Sequence, residues 1–419
     1  SGTTECLAMV HAPARQPSTR YLSLDFWRGL ACLLVVTGHS VSSMVAGSGG
    51  PRSEGTWWEQ IAFWVCDRTW IGVPIFFVIS GYCISASADS TRRLGRPISE
   101  YFLRRFRRIF PPYWICVAVS CVLVACGNFL APNLFADISL PWKIPALHWI
   151  GNLTLTETWL GQVLNYPFAW SNLFICPAWT LCYEEQFYAV VGILIWLAGP
   201  RYYAAIAAVT AAVLWRSVAS PASYNSGFFF DGRWLSFAAG VAVYYDIQHA
   251  NRLQSWLLRG LLVAGIAWSC HDPAILKAPS SIELDRLCVF TFALLLIVLH
   301  RWDVRLHHAS VLRPITLCGT MCYSIYLMHW VLVRPISQGL GILGLTTVAE
   351  TLLVVLPLSL ATCVGVGALF HVLVERRFLN APLPAAGGPS RTGVVETPAP
   401  ALPAADFTTS GVDPDRCAA

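Results

Sequence analysis

The chain contains very few charged residues. Only 12% of its 419 residues are Asp, Glu, Lys or Arg, and just two of these are lysine, Lys143 and Lys277. In contrast, 56% of the residues are apolar, and the mean hydropathy is +0.56. A water-soluble domain of this size could not keep such a surface in solution, so that class of fold is excluded. The apolar stretches are continuous rather than alternating, which also argues against a membrane β-barrel.

The sequence also lacks paired metal-ligand motifs. Its fifteen cysteines are spread along the chain, most of them within apolar stretches, and no C-x-x-C pair occurs. We interpret them as small packing residues and predict no metal site.

The apolar stretches are long enough to cross a bilayer, which takes about 20 mainly apolar residues per helix. Ten such stretches can be placed, with centres near Leu34, Phe77, Val119, Val190, Ala208, Ala238, Val263, Leu295, Ser324 and Leu358. We therefore predict an all-α, polytopic integral membrane protein. Its membrane domain spans residues 21–380 and contains about ten transmembrane helices.

The positions of the arginines predict the orientation. Seven arginines lie between Arg92 and Arg108, after the second predicted helix. The positive-inside rule places this segment in the cytoplasm, and alternation along the chain then places both termini there. Residues 1–20 and 381–419 are rich in Pro, Ala, Gly, Ser and Thr without apolar periodicity, so we predict two disordered cytoplasmic tails.

Several ionisable residues lie within the predicted helices, where their cost makes them functional candidates. Arg28 and His39 are eleven positions apart, so they share a helix face and are separated by about 16 Å along the axis. Counting along their helices places Glu184 and His329 at the depth of His39. Because an imidazole and a carboxylate together can activate a hydroxyl group, we predict a catalytic centre of His39, Glu184 and His329. Tyr326 is expected just below His329.

A second group of candidates lies near the predicted cytoplasmic face. Arg28, Arg105 and Arg108 carry guanidinium groups, whose geometry suits phosphates. We expect them to bind a phosphorylated donor. The alternative for arginines at this position is contact with anionic membrane lipids.

Five segments resemble, in chain order, motifs of the membrane acyltransferase-3 family. They are Arg28 and His39 in Arg-x10-His spacing, GVPIFFVISGYCIS from Gly72, RRFRRIFPPYW from Arg104, AWTLCYEEQFY from Ala178 and CYSIYLMHWVL from Cys322. The resemblance implies an O-acyltransferase that uses cytoplasmic acyl-CoA, often acetyl-CoA, as co-substrate. The implied acceptor is a hydroxyl group of a glycan, a lipid-linked saccharide, an exopolysaccharide or, in some members, an antibiotic.

The resemblance also carries roles to individual positions. Arg28 and His39 match the essential pair of the family, Arg105 and Arg108 match its cytoplasmic Arg-x-x-Arg, and Glu184 matches the first acid of its WSLxxE-type segment. The sequence departs from the family at LDFWRGLA, where LDGLRALA is common, and at VERRFL, which lacks the usual following proline. Glu375 in that last segment is therefore carried over only weakly. The family further implies a bacterial inner membrane location, no prosthetic group and no nucleic-acid partner.

The expected mechanism places the CoA phosphates near the three arginines and extends the pantetheine arm toward His39. The hydroxyl group then attacks directly, or an acyl-histidine relays the group. Two rival functions are considered. In a proton-coupled transporter or flippase, His39 and Glu184 would carry protons, but the internal repeat of many transporters is not found. A non-catalytic receptor or export partner would not need the paired histidine and acid.

Overall fold

The computed structural model describes residues 21–48, 56–135, 140–163, 173–219, 232–271 and 282–379. Within these ranges the chain is helical with short connections, and no strand occurs. The all-α prediction is confirmed for this part of the chain. The predicted tails, residues 1–20 and 381–419, lie outside the described residues and stay predictions, as do the domain limits drawn from them.

Seventeen α-helices follow one another in the described ranges. Their bounds are α1 Leu24–Ser48, α2 Trp57–Asp67, α3 Gly72–Arg93, α4 Ile98–Leu130, α5 Ala146–Thr154, α6 Glu157–Val163, α7 Trp179–Ala198, α8 Tyr202–Ala219, α9 Arg233–Gln248, α10 Arg252–Cys270, α11 Ile282–Leu299, α12 Asp303–His308, α13 Arg313–Thr320, α14 Cys322–Ile342, α15 Val348–Glu350, α16 Leu356–Phe370 and α17 Arg376–Leu379. Two π-helical turns, Thr351–Val355 and His371–Glu375, connect the last three into one continuous stretch.

Each of the ten predicted centres falls in a helix, but fewer helices qualify as membrane spans. Six helical stretches of the described residues are long and apolar enough to cross a bilayer, and seven if the bent pair α13 and α14 forms one broken span. Helix α9 has only 16 residues, and α7 and α8 fall in one stretch of 42 residues. The predicted number of about ten spans is therefore not confirmed.

Helix α1 lies at the centre of the fold and packs closely against neighbouring helices. A Cβ atom at Gly29 would collide with the carbonyl group of Ile315 in α13, and one at Gly319 with the carbonyl group of Asp25 in α1. Small residues at such crossings allow two helix backbones to approach closely, as is common between membrane helices. The glycines thus hold Arg28, next to this crossing, at a defined position.

The start of α1 is held by a buried acid from a distant part of the chain. The Asp303 carboxylate, 4% exposed, accepts hydrogen bonds from the backbone N–H groups of Leu22 at 2.6 Å and Ser23 at 2.9 Å. A negative charge beside the N-terminus of a helix is favourable, because the free N–H groups and the helix dipole are positive there. This contact sets the depth at which the residues of α1 lie.

Candidate active site

A cavity of about 110 Å³ lies between α1, α3, α4, α7 and α14. One buried water molecule needs a much smaller volume, so the cavity has room for several groups of that size. One part of its wall is polar and cationic, and another is apolar and aromatic. The lining residues are Arg28, Val73, Phe76, Phe77, Ile79, Ser80, Cys83, Arg105, Arg108, Ile109, Thr180, Leu181, Glu184, Tyr188, Cys322, Tyr323 and Tyr326.

The three arginines predicted to bind the donor line this one cavity. Arg28 reaches it from α1, and its guanidinium donates to Asp25 Oδ1 and to Cys83 Sγ, both at 2.9 Å. Arg105 and Arg108 reach it from α4. Residues that are 77 positions apart in the sequence therefore form a single cationic wall.

Two of these arginines form no close ion pair within the described ranges. Among the described residues, no carboxylate lies within ion-pair distance of Arg105 or Arg108, and Arg105 lies 5.1 Å above the ring of Tyr188. The first residues of α14, Cys322 and Tyr323, line the same cavity. A helix N-terminus favours anions, so it adds to the positive potential of the arginines. This end of the cavity is suited to an anionic ligand.

Glu184 also lines the cavity, and its position differs from the expectation. Its Oε1 accepts a hydrogen bond from Ser80, whose hydroxyl lies 3.3 Å from that of Tyr188. In the described contacts of the His39 ring, the neighbours are His329 and Trp330 and do not include Glu184. The predicted direct contact between Glu184 and His39 is therefore absent from the described contacts.

The start of α7 explains this difference. The Thr180 hydroxyl lies 2.7 Å from the hydroxyl of Tyr326, which is itself one helical turn before His329. Glu184 follows Thr180 by four residues and so lies about 6 Å further along α7, away from the histidines. Residue counting from Trp179 missed this, because it takes no account of where α7 meets α14.

The two predicted histidines do meet. The ring centroids of His39 and His329 are 5.2 Å apart, with an angle of 36° between the rings. His329 is fully buried, and its Nδ1 lies 2.6 Å from the carbonyl oxygen of Tyr326. Because a carbonyl oxygen can only accept, Nδ1 carries the proton and Nε2 presents a lone pair. Nε2 is buried and has no hydrogen-bond partner among the residues that the structure describes, which makes it available as a base.

A half-buried aromatic residue and a cation near His39 were missed by the sequence analysis. The ring of Trp330 packs edge-on against that of His39 at 5.4 Å, and the guanidinium of Arg334 lies 4.7 Å above Trp330. Arg334 stands in a long apolar stretch, so the criterion that selected Arg28 would also have selected it. It brings a positive charge close to the histidine pair.

Tyr326 lies between the cavity and the histidine pair. Its ring is 5.8 Å from that of Phe76, which lines the cavity, and 5.5 Å from that of His329. Neither His39 nor His329 lines the cavity. Tyr326 therefore contacts both the wall of the cationic cavity and the histidine pair.

The connection between α4 and α7 contains a second, separate polar cluster. Glu157 is fully buried, and its Oε1 lies 2.6 Å from His148 Nδ1. Burial raises the pKa of the Glu157 carboxyl group, and the nearby His148 partly opposes the rise. Asn152 accepts a hydrogen bond from the backbone N–H of Phe174 at 2.9 Å, and its own carbonyl accepts one from Tyr113 at 3.0 Å. These bonds fix the connection against α4.

No metal site was found in the described ranges, where no three His, Cys, Asp or Glu side chains are grouped to hold an ion. All thirteen cysteines within these ranges are free thiols.

Comparison with known proteins identifies the family of the chain. The sequence model of the acyltransferase-3 family, described as an acyltransferase domain, matches residues 21–371. The chain belongs to this family. The resemblance drawn from the five motifs and the prediction of an O-acyltransferase are thereby confirmed.

The relatives of this acyltransferase include a transacylase and two proteins named for exopolysaccharide and for peptidoglycan. BcsY of Komagataeibacter xylinus, named as a membrane-bound transacylase, is 26% identical over 87% of this chain and 84% of its own length. The exopolysaccharide production protein ExoZ of Rhizobium meliloti is 25% identical over 74% and 89%, respectively. The peptidoglycan O-acetyltransferase OatA of Listeria monocytogenes is 23% identical over 78% of this chain and 51% of its own length. No solved structure matches the acyltransferase significantly. None of these matches supports the transporter alternative.

Proposed function

We propose that this acyltransferase moves an acyl group, most simply acetyl, from cytoplasmic acyl-CoA to a hydroxyl group of a saccharide. The observation that carries the proposal is the position of a cationic cavity beside a pair of histidines, of which His329 is fully buried. A CoA thioester combines several phosphates with a reactive carbonyl group, and the two parts of the site match these two needs.

The donor is bound by Arg28, Arg105 and Arg108 together with the N-terminus of α14. Charge-assisted bonds from guanidinium groups to phosphate oxygens are strong and directional. Arg28 and His39 are separated by about 16 Å along α1, a distance that an extended pantetheine arm can bridge. Glu184 then acts on the donor side, where it holds Ser80 and lies beside Tyr188.

The base is the pair of His39 and His329. One imidazole takes the proton of the acceptor hydroxyl group while the hydroxyl oxygen attacks the carbonyl carbon of the thioester. The carbon–sulfur bond breaks, the CoA thiolate leaves toward the arginines, and the proton passes from the imidazole to the thiolate or to solvent. The free Nε2 of His329 supports this role, since its orientation is already set by the Tyr326 carbonyl group. Arg334 adds positive charge near the oxyanion that forms.

The acceptor is proposed to be a cell-surface or exported polysaccharide, or a lipid-linked precursor of one. The names of ExoZ and OatA point to exopolysaccharide and peptidoglycan for those proteins. We further propose a bacterial inner membrane location, about ten spans and cytoplasmic termini. The arginines between Arg92 and Arg108 support this orientation, because two of them line the donor cavity that cytoplasmic CoA must enter.

Release of free thiol from acetyl-CoA tests the proposal. Purified protein in detergent is assayed with and without a crude saccharide extract of the source cell, as wild type, His39→Ala, His329→Ala and His271→Ala. We expect extract-dependent release that is lost in the first two variants. The exposed His271 at the end of α10 serves as the matched control and should leave release unchanged. Release at the wild-type rate in His39→Ala would show that the proposed base is wrong.

A further inference from the structure

Tyr326 closes the end of the donor cavity that faces the histidine pair. It is 7% exposed and makes ring contacts on both sides, with Phe76 in the cavity wall and with His329 behind it. A thioester that enters the cavity therefore meets the tyrosine before it meets either imidazole.

The hydroxyl group of Tyr326 is held at the start of α7. It donates to the carbonyl oxygen of Pro177 at 3.0 Å, and it lies 2.7 Å from the hydroxyl of Thr180. The Thr180 oxygen lies 3.0 Å from the same Pro177 carbonyl oxygen. Each hydroxyl group has one proton, so one of the two donates to the other, which donates to the Pro177 carbonyl. A buried hydroxyl group is strongly disfavoured without partners, so these bonds stabilise the closed position of the ring.

The backbone of the same residue has a separate task. The Tyr326 carbonyl oxygen accepts a hydrogen bond from the N–H group of His329 Nδ1 and so orients the imidazole. Rotation of the Tyr326 side chain about χ1 leaves this carbonyl group in place. The ring can therefore move out of the way while the base stays correctly oriented.

We propose that Tyr326 is a gate between the donor cavity and the histidine pair. The inference rests on the function proposed above and adds a control step to it. While the ring is closed, the thioester is kept apart from the base, so water cannot be activated to hydrolyse it. Transfer requires the Tyr326 hydroxyl to leave Pro177 and Thr180, which lets the acyl carbonyl reach the histidines when an acceptor is present.

Tyr326→Phe tests the gate, because it keeps the ring but removes the bonds that hold it closed. The assay measures two rates with acetyl-CoA: thiol release in water alone and acetyl transfer to the saccharide extract. We expect release in water alone to rise severalfold, up to about tenfold for the loss of one hydrogen bond, while transfer changes much less. Thr180→Val, which removes the other hydroxyl group, should shift the ratio of hydrolysis to transfer in the same direction.

Tyr113→Phe is the matched control. Its hydroxyl group also donates to a main-chain carbonyl at 3.0 Å, that of Asn152, but it does not line the cavity. It should leave the ratio of hydrolysis to transfer at the wild-type value. A general loss of stability would lower both rates together in any of the variants, whereas an open gate changes their ratio.

The outcomes separate this inference from the function on which it rests. An unchanged ratio in both Tyr326→Phe and Thr180→Val, in a wild type that transfers acetyl, overturns the gate alone. Loss of both rates in folded Tyr326→Phe also overturns it, because the hydroxyl group would then take part in the reaction. Absence of thiol release by the wild type under every condition overturns the proposed function and the gate together.

Discussion

Arg105 offers a sharp test of donor binding, because within the described residues it forms no close ion pair that its removal would break. Arg28 is paired with Asp25, so its substitution would also leave a carboxylate unpaired. Arg105 has no such carboxylate among the described residues, and it lines the cavity while contacting the ring of Tyr188. Arg105→Met keeps much of the apolar stem and removes only the charged guanidinium group.

The size of the expected effect follows from the bond that is lost. A hydrogen bond to a charged group contributes about 1.5–3 kcal/mol. Since about 1.4 kcal/mol corresponds to a factor of ten, Arg105→Met should raise the KM for acetyl-CoA about 10- to 150-fold. The kcat should change much less, because the guanidinium group lies on the phosphate side of the cavity and not beside the histidines.

Arg104→Met provides the control from the neighbouring position. Arg104 forms an ion pair with Glu100 one turn earlier, is 41% exposed and does not line the cavity. We expect its KM for acetyl-CoA to stay within about twofold of the wild type, as for a surface ion pair of small net contribution. Initial rates over a range of acetyl-CoA concentrations, together with direct binding of CoA, measure both variants. Equal KM values for Arg104→Met and Arg105→Met would refute the assignment of the cavity to the donor.

Three further predictions concern the proposed base, the connection between α4 and α7, and the crossing of α1 and α13. His329→Asn keeps a hydrogen-bond donor near the position of Nδ1 but removes the base. The rate of single-turnover transfer should therefore fall about 10²- to 10⁴-fold, while CoA binding stays unchanged. Transfer at the wild-type rate would exclude this histidine as the base. Because the pKa of Glu157 is raised in the folded state, its contribution to stability is full below the usual pKa of glutamate and is lost as the pH rises through the raised value. Glu157→Gln cannot ionise, so its melting temperature in detergent should fall less between pH 5 and pH 8 than that of the wild type, and an identical pH slope would contradict this. Gly319→Ala places a methyl group against the Asp25 carbonyl and should destabilise the fold by about 1–3 kcal/mol, whereas Gly260→Ala, with nothing within 4 Å, should not, as thermal unfolding can measure.

The sequence was most informative where a single residue or segment carries the signal. The apolar stretches predicted the helices, and every predicted centre falls in one. Arg28, Arg105 and Arg108 were predicted to share one site. This prediction needed only helix periodicity and the positive-inside rule, which both apply to one helix at a time. His39 and His329 were also predicted to lie at the same depth, and in the structure their ring centroids are 5.2 Å apart.

The relative positions of residues on different helices were predicted less well. Glu184 was expected beside His39 but lies about one turn beyond the contact of Thr180 with Tyr326. The number of spans was also not confirmed, since helix length and breaks such as the 71° bend between α13 and α14 are not visible in hydropathy alone.

By itself, the sequence determined that the chain is a helical membrane protein of the acyltransferase-3 family and which ionisable residues could carry its chemistry. Composition, periodicity and ordered motifs are local properties, so they can be interpreted without knowing how the helices cross. The tertiary structure decided which of those residues meet: the arginines and Glu184 around one cavity, the histidines around another point, and Tyr326 between them. Those contacts depend on the crossing points and relative depths of helices, which arise from close packing at residues such as Gly29 and Gly319.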